Sequence, residues 1–152
     1  MATLDQAYLF RDVTAQTRAE ISRMAAEESH ETGKLLFDAG DAAGHLYILV
    51  EGRVRLSTRG TGHIAHIVSD AGDALGWSSM AGNEAYTASA ECLGPVKVLK
   101  FDTDRLVEVL EKDPVSGMSF YRRLAEVIGR RLVASYGAAL SLHGDRNPQY
   151  WG

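Results

Sequence analysis

Apolar positions along this chain change period twice, and each change marks a new kind of element. Residues 14–28 follow helical spacing, with Thr14 placed as N-cap, Ile21, Met24 and Ala25 on one face, and the segment running toward Glu27-Glu28. From about His30, short apolar or alternating runs take over at 34–37, 46–50, 54–58, 63–68, 86–92 and 96–101. Gly40-Asp41, Glu51-Gly52, Gly60-Thr61-Gly62, Ala71-Gly72-Asp73, Gly82-Asn83 and Gly94-Pro95 separate them, all with turn chemistry. Six or more short strands at this spacing predict a small antiparallel barrel or sandwich. No segment shows the strand–helix alternation of a parallel α/β sheet.

Helical period returns at Asp102, an N-cap for Thr103–Leu110 with Leu106, Val109 and Leu110 on one face. Asp113-Pro114 is a second start signal, and the helix it opens is expected to run to about Leu142. Along it Met118, Tyr121, Ala125, Ile128, Leu132, Ser135, Ala139 and Leu142 alternate spacings of three and four, a heptad seam. A second stripe, Phe120, Leu124, Val127 and Ala134, is placed against the strands. Few partners remain in the chain for the seam, so it is expected to meet its own copy in a homodimer. Three or four large residues buried per helix, at roughly 1.5–3 kcal/mol each, suffice for that pairing. The alternative packs the seam on the strands of its own chain.

Composition narrows the class. The 152 residues fit one domain, and 45% hydrophobic with 24% charged residues is ordinary for a soluble globular protein. Runs such as Leu46–Val50 are far too short to span a bilayer. The start, Met1-Ala2-Thr3-Leu4-Asp5, lacks secretory-signal features, and a lone Cys92 excludes an intrachain disulfide. A cytoplasmic protein is expected. A net charge of −4 argues against broad binding to nucleic acid or anionic membrane. His63 and His66, three apart on a strand, point to opposite faces, while His30, His45 and His143 are isolated. No metal site is expected, and no nucleophile–base pair suggests an enzyme. Arg122, Arg123, Arg130 and Arg131 read as a solvated face of the long helix beside Glu126.

Candidate chemistry lies in Gly72-Asp73-Ala74-Leu75-Gly76-Trp77-Ser78-Ser79 and the following Tyr86-Thr87-Ala88-Ser89-Ala90. Glycine-dense turns aim successive backbone N–H groups into one concavity, which suits an anion such as phosphate. With Gly33, Leu36-Phe37, Gly40-Asp41, Leu46-Tyr47 and Glu51-Gly52-Arg53-Val54 in the same order and spacing, residues 8–142 resemble the cyclic nucleotide-binding domain. The resemblance implies a mainly β fold: an antiparallel jelly-roll-like β-barrel (a double-stranded β-helix) with an N-terminal helix and a long C-terminal helix. It implies one domain over 1–142, with helix and barrel in 8–101 and C-terminal helices in 102–142. Residues 143–152 follow as a polar tail, Trp151 a candidate anchor, and no helix-turn-helix domain for reading DNA is expected. It sets a phosphate-binding cassette at Gly76, Trp77, Ser78, Ser79, Tyr86, Thr87 and Ala88, and helix contacts at Ser135 and Tyr136. The implied function is a stand-alone regulatory or sensor domain, not an enzyme. A cyclic nucleotide or other small effector held by Gly76, Ser78, Ser79 and Thr87 would shift the dimerising helix, which signals to a protein partner.

Two departures change that expectation. Trp77 stands where the family's Glu accepts from the ribose, and Tyr86 where its Arg neutralises the cyclic phosphate. Losing one member of a buried charged pair costs roughly 2–5 kcal/mol, and about 3 kcal/mol is on the order of a hundredfold in affinity. The sequence therefore predicts a pocket that has lost both its cation and its carboxylate, without tight binding of cAMP or cGMP in the usual way. Trp77 and Tyr86 either line a pocket for a less charged or aromatic effector, or fill it as core. The second case leaves an effector-free protein-interaction or dimerisation module. A third route brings an arginine from elsewhere, such as Arg53 or Arg130.

Overall fold

The computed structural model describes residues 2–58 and 65–143, with side chains for 4–58 and 66–137. The chain opens with α1 (Ala2–Gln6), a 3-10 turn at Tyr8–Phe10 and α2 (Ala15–Met24). Strands follow as β1 (Ala26–His30), β2 (Leu35–Phe37), β3 (His45–Glu51), β4 (Val54–Ser57), β5 (Ala65–Val68) and β6 (Ala74–Leu75). After a 3-10 turn at Trp77–Met80 come β7 (Ser89–Cys92), β8 (Val96–Asp102), α3 (Thr103–Lys112) and α4 (Pro114–His143). The described strands form two antiparallel sheets, in the orders β1-β8-β3-β6 and β2-β7-β4-β5. No ladder joins one sheet to the other among the described residues, so this jelly-roll-like fold is an open sandwich and not a closed barrel.

The period of two in the central strands builds two cores. Leu46 and Ile48 of β3, with Leu99 and Phe101 of β8, face the helices and pack with Phe10, Ile21, Leu106, Phe120 and Leu124. Tyr47, Leu49, Val96 and Val98 point the other way, onto Phe37, Val54, Tyr86 and Cys92 between the sheets. Phe10 stacks on Phe120 and meets Phe101 edge-on, each at 5.5 Å, tying the N-terminal segment to β8 and α4. Gly72 permits that tie. Its φ of +95° is a left-handed conformation, and a Cβ there would lie 2.3 Å from the Gln6 carbonyl oxygen.

The predicted caps form: Thr14 accepts from the Thr17 N–H at 3.3 Å, Asp102 from the Arg105 N–H at 3.0 Å, and Asp113 from the Ser116 N–H at 3.3 Å. The residues after Met24 depart from expectation, because they leave the helix and form β1. There Glu27 and Glu28 pair across the ladder with Lys97 and Lys100, at 3.6 Å each. The expected strand at 86–92 begins only at Ser89, since Tyr86 belongs to the core. Of the expected 63–68 strand, the part from Ala65 is present; His63 and the Gly60-Thr61-Gly62 turn lie outside the described residues. The polar tail and Trp151 also fall outside.

On α4 the second stripe packs inward as expected at Phe120 and Leu124, while Ala134 stays exposed. The seam divides. Met118, Tyr121, Ala125 and Leu132 are exposed, Ile128 packs on the helical core, and Ser135 is half-buried. The side chains of Ala139 and Leu142 lie outside the described set. No described helix is long and apolar enough to cross a membrane, and the described residues hold no cluster fit for a metal ion.

Candidate functional site

The site is built where β6 ends. Gly76 takes φ +71°, and a Cβ on it would press on the His45 carbonyl oxygen at 3.1 Å and on Phe37 and Tyr47 at 3.3 Å. The tight corner swings the chain into the 3-10 turn that carries Trp77. The Ser79 hydroxyl donates to the carbonyls of Gly76 at 3.0 Å and His45 at 3.2 Å, closing that turn. Ser78 is buried, with its hydroxyl 3.4 Å from that of Thr87. Both serines hold the loop together.

A cavity of about 310 Å³ opens between this loop and α4. Trp77, Thr87 and Ala88 line one side, Leu56 and His66 come from the second sheet, and Ile128, Arg131, Leu132 and Ser135 face them from the helix. Arg131 decides the electrostatics. Its guanidinium carbon lies 5.7 Å from the centroid of the Trp77 ring, and its Nη2 donates to the Ala74 carbonyl at 2.9 Å. Burial lowers the pKa of this guanidinium, with nearby Asp73 opposing. A guanidinium nonetheless keeps its charge at neutral pH. Burial, then Arg131, pushes His66 below the usual imidazole value against the pull of Asp73, so His66 is largely neutral at pH 7.

A second cavity, about 340 Å³, lies on the other side of Arg131 and His66, where Tyr8, Asp70, Asp73 and Arg130 join them. Asp73 is raised by burial and by Asp70, with Arg131, Arg130 and His66 pulling it back. Arg131 thus borders both a charged cavity, where Asp70 and Asp73 face Arg130 and itself, and a mostly apolar one.

The profile of the cyclic nucleotide-binding domain matches residues 27–113. The chain belongs to this family. A candidate cyclic nucleotide-binding protein from Geobacter metallireducens GS-15 is similar in structure, with 27% identity, a TM-score of 0.75, and 86% of this chain and 96% of that one covered. The sensor domain of the transcriptional regulator DNR from Pseudomonas aeruginosa shares the fold at 16% identity and a TM-score of 0.70, covering 86% and 89%. The catabolite activator protein of Thermus thermophilus does so at 21% identity and a TM-score of 0.68, with 90% of this chain matching 61% of that one. No curated protein matches the sequence.

Within this cyclic nucleotide-binding domain the expected cassette splits into two sets. Trp77, Thr87 and Ala88 meet Ser135 at the cavity, whereas Gly76, Ser78, Ser79 and Tyr86 shape the loop behind it. Tyr136, 39% exposed, is not among the lining residues. Of the two aromatic replacements, Trp77 lines the cavity and Tyr86 fills core. The expectation of a pocket without a cation is overturned: α4 supplies one. It is neither Arg53, which is exposed, nor Arg130, which lies over the Tyr8 ring at 5.1 Å. Nor are the helix arginines a uniformly solvated face, since Arg123 pairs with Asp12 (Nε to Oδ2, 2.8 Å) and Arg131 turns inward. The overlooked signal is spacing: Ile128, Arg131, Leu132 and Ser135 follow i, i+3, i+4, i+7, one helical face.

Proposed function

We propose that this domain is an effector-sensing regulatory module whose ligand enters the cavity between Trp77–Ala88 and α4. The ligand shifts the helix, and the helix passes the change to a second copy of the chain or to a protein partner. One observation carries this reading: Arg131, a residue of α4, is the charged wall of the cavity beside Trp77. A ligand bound there through its charge cannot avoid touching the helix, which is the differential contact a population shift requires. Family membership and the sensor domain among the structural relatives support the same reading. Usual-mode recognition of cAMP or cGMP is disfavoured, because Trp77 offers no acceptor to a ribose and the Tyr86 hydroxyl is committed to His45.

Amide hydrogen exchange of α4, followed while cAMP, cGMP and a library of small anions are titrated, tests the proposal. A bound ligand is expected to change protection in residues 128–143. A ligand that occupies the cavity and leaves that protection unchanged refutes the coupling. Tyr86 favours the second reading, an effector-free dimerisation module, in so far as it plugs the space between the sheets. That reading expects no small molecule to alter α4 at all.

A further inference from the structure

Resting on the sensor reading, we infer that the effector is a compact aromatic or apolar monoanion, held through Arg131 on α4 rather than through the cassette backbone. Three features select this class. The cavity, about 310 Å³, is at the small end for ligand sites, and Trp77, Leu56, Ala88, Ile128 and Leu132 make most of its wall apolar. A ligand that leaves water for this wall must itself be largely apolar, and the indole face of Trp77 favours a planar ring.

Charge is the second feature. Arg131 is the one arginine or lysine among the described lining residues, and His66 is held toward its neutral form. With Nη2 on the Ala74 carbonyl, the fork keeps further N–H donors for a carboxylate, sulfonate or phenolate. The third feature limits that charge to one unit. Within the cavity one guanidinium matches one negative charge, and around the adjoining cavity Asp70 and Asp73 are balanced by Arg130 and Arg131, so no net positive charge is left there for a second. The hydroxyls of Thr87 and Ser135 border the cavity and serve polar edges of the ring.

The test is calorimetric titration of the full chain with 1-naphthoate, its neutral isostere 1-naphthamide, and cAMP. Methyl NMR of Thr87, Ile128 and Leu132 locates each binding event. Naphthoate is expected to bind at least about tenfold more tightly than naphthamide, the scale of one charge-assisted hydrogen bond, and more tightly than cAMP. Arg131→Met is expected to erase the preference for naphthoate over naphthamide, and Arg131→Lys to keep part of it. The preference measured on the unaltered protein decides the matter even if the variants fold poorly. Equal binding of the naphthalene pair, a preference that survives Arg131→Met, or tighter binding of cAMP in the cavity overturns the ligand class and leaves the sensor reading standing. Binding of none of the three in the cavity overturns the ligand class, and the sensor reading falls with it only if the wider library of small anions also leaves α4 unchanged.

Discussion

The Tyr86 hydroxyl donates to the His45 carbonyl at 2.7 Å and accepts from the His45 N–H at 3.1 Å, so a cassette side chain serves as a strap on the first residue of β3. Its ring lies on Phe37, centroids 4.0 Å apart and planes 20° from parallel. Burial raises the phenol pKa while the backbone hydrogen bonds at His45 and Gly44 oppose it, and the hydroxyl stays protonated and able to donate at neutral pH. The position that the sequence resemblance aligns with a phosphate-binding arginine is here a tyrosine packed between the sheets.

Tyr86→Phe is therefore expected to cost about 0.5–1.5 kcal/mol of stability, because the half-buried His45 N–H loses its acceptor and its carbonyl is left with the Ser79 hydroxyl alone as side-chain donor. Chemical denaturation measures the loss, and ligand titration is expected to show an unchanged cavity. The pair Trp77→Glu with Tyr86→Arg, which the sequence alone suggests as a restoration of cyclic nucleotide binding, has a different expected outcome. An arginine at 86 would set a charge among Phe37, Tyr47 and Val54. Loss of folded protein is expected, seen as loss of the cooperative unfolding transition. A folded double variant that binds cAMP tightly would show that Tyr86 is not fixed in the core.

Asp113 links the two ends of the helical layer. Its Oδ2 accepts from the hydroxyls of Thr14 at 2.8 Å, Thr17 at 2.7 Å and Ser116 at 2.5 Å, so the start of α4 is bound to the start of α2. These donors, Ser116 first, hold the carboxyl well below the usual carboxylate range. A depressed folded pKa means stabilisation that is complete above the unfolded value, about 4, and is lost as pH falls toward the folded one. Asp113→Asn is expected to lower the thermal midpoint at pH 7, with the gap to the parent narrowing below about pH 4. Thermal melts at pH 7, 5 and 3 check this, and a gap constant with pH would show that the carboxylate charge contributes nothing.

Where apolar period and turn chemistry agreed, the fold could be read from the residues. The short apolar run at 46–50 between turn signals marked β3, and Asp102 and Asp113 marked both C-terminal helix starts. β1 was hidden because an edge strand of Ala-Glu-Glu-Ser-His has no apolar period; its stability comes from the ladder with β8 and from Lys97 and Lys100, partners about seventy residues away. β6, two residues long, is too short to carry a period. The site was half legible. Trp77 and Thr87 were located by their turn, but the cation came from Arg131, which local reading had assigned to solvent beside Arg130. Which of two adjacent arginines turns inward depends on helix phase relative to Ile128 and Ser135, a tertiary fact that charge clustering conceals.

The exposed apolar side chains of α4 lead to the last prediction. Val115 is 72% exposed, Met118 63%, Leu132 48% and Tyr121 41%, more than an isolated helix face ordinarily leaves in water. Met118, Tyr121, Ala125 and Leu132 fall on the heptad seam, the geometry in which two copies of one helix cover each other. We expect sedimentation at several concentrations to show a dimer, and Met118→Glu with Tyr121→Glu to weaken it at least about tenfold by placing like charges across the two-fold axis. Met118 is solvent-facing, whereas Tyr121 meets the buried Phe120 edge-on at 5.2 Å, so the variant is expected to lose only about 0.5–1.5 kcal/mol of stability and to keep a cooperative unfolding transition. Leu132 belongs both to this seam and to the cavity wall, so an effector that moves it is expected to change the dimer constant as well. A parent chain that stays monomeric at every concentration, or a dimer indifferent to both glutamates, would place the helix's partner elsewhere.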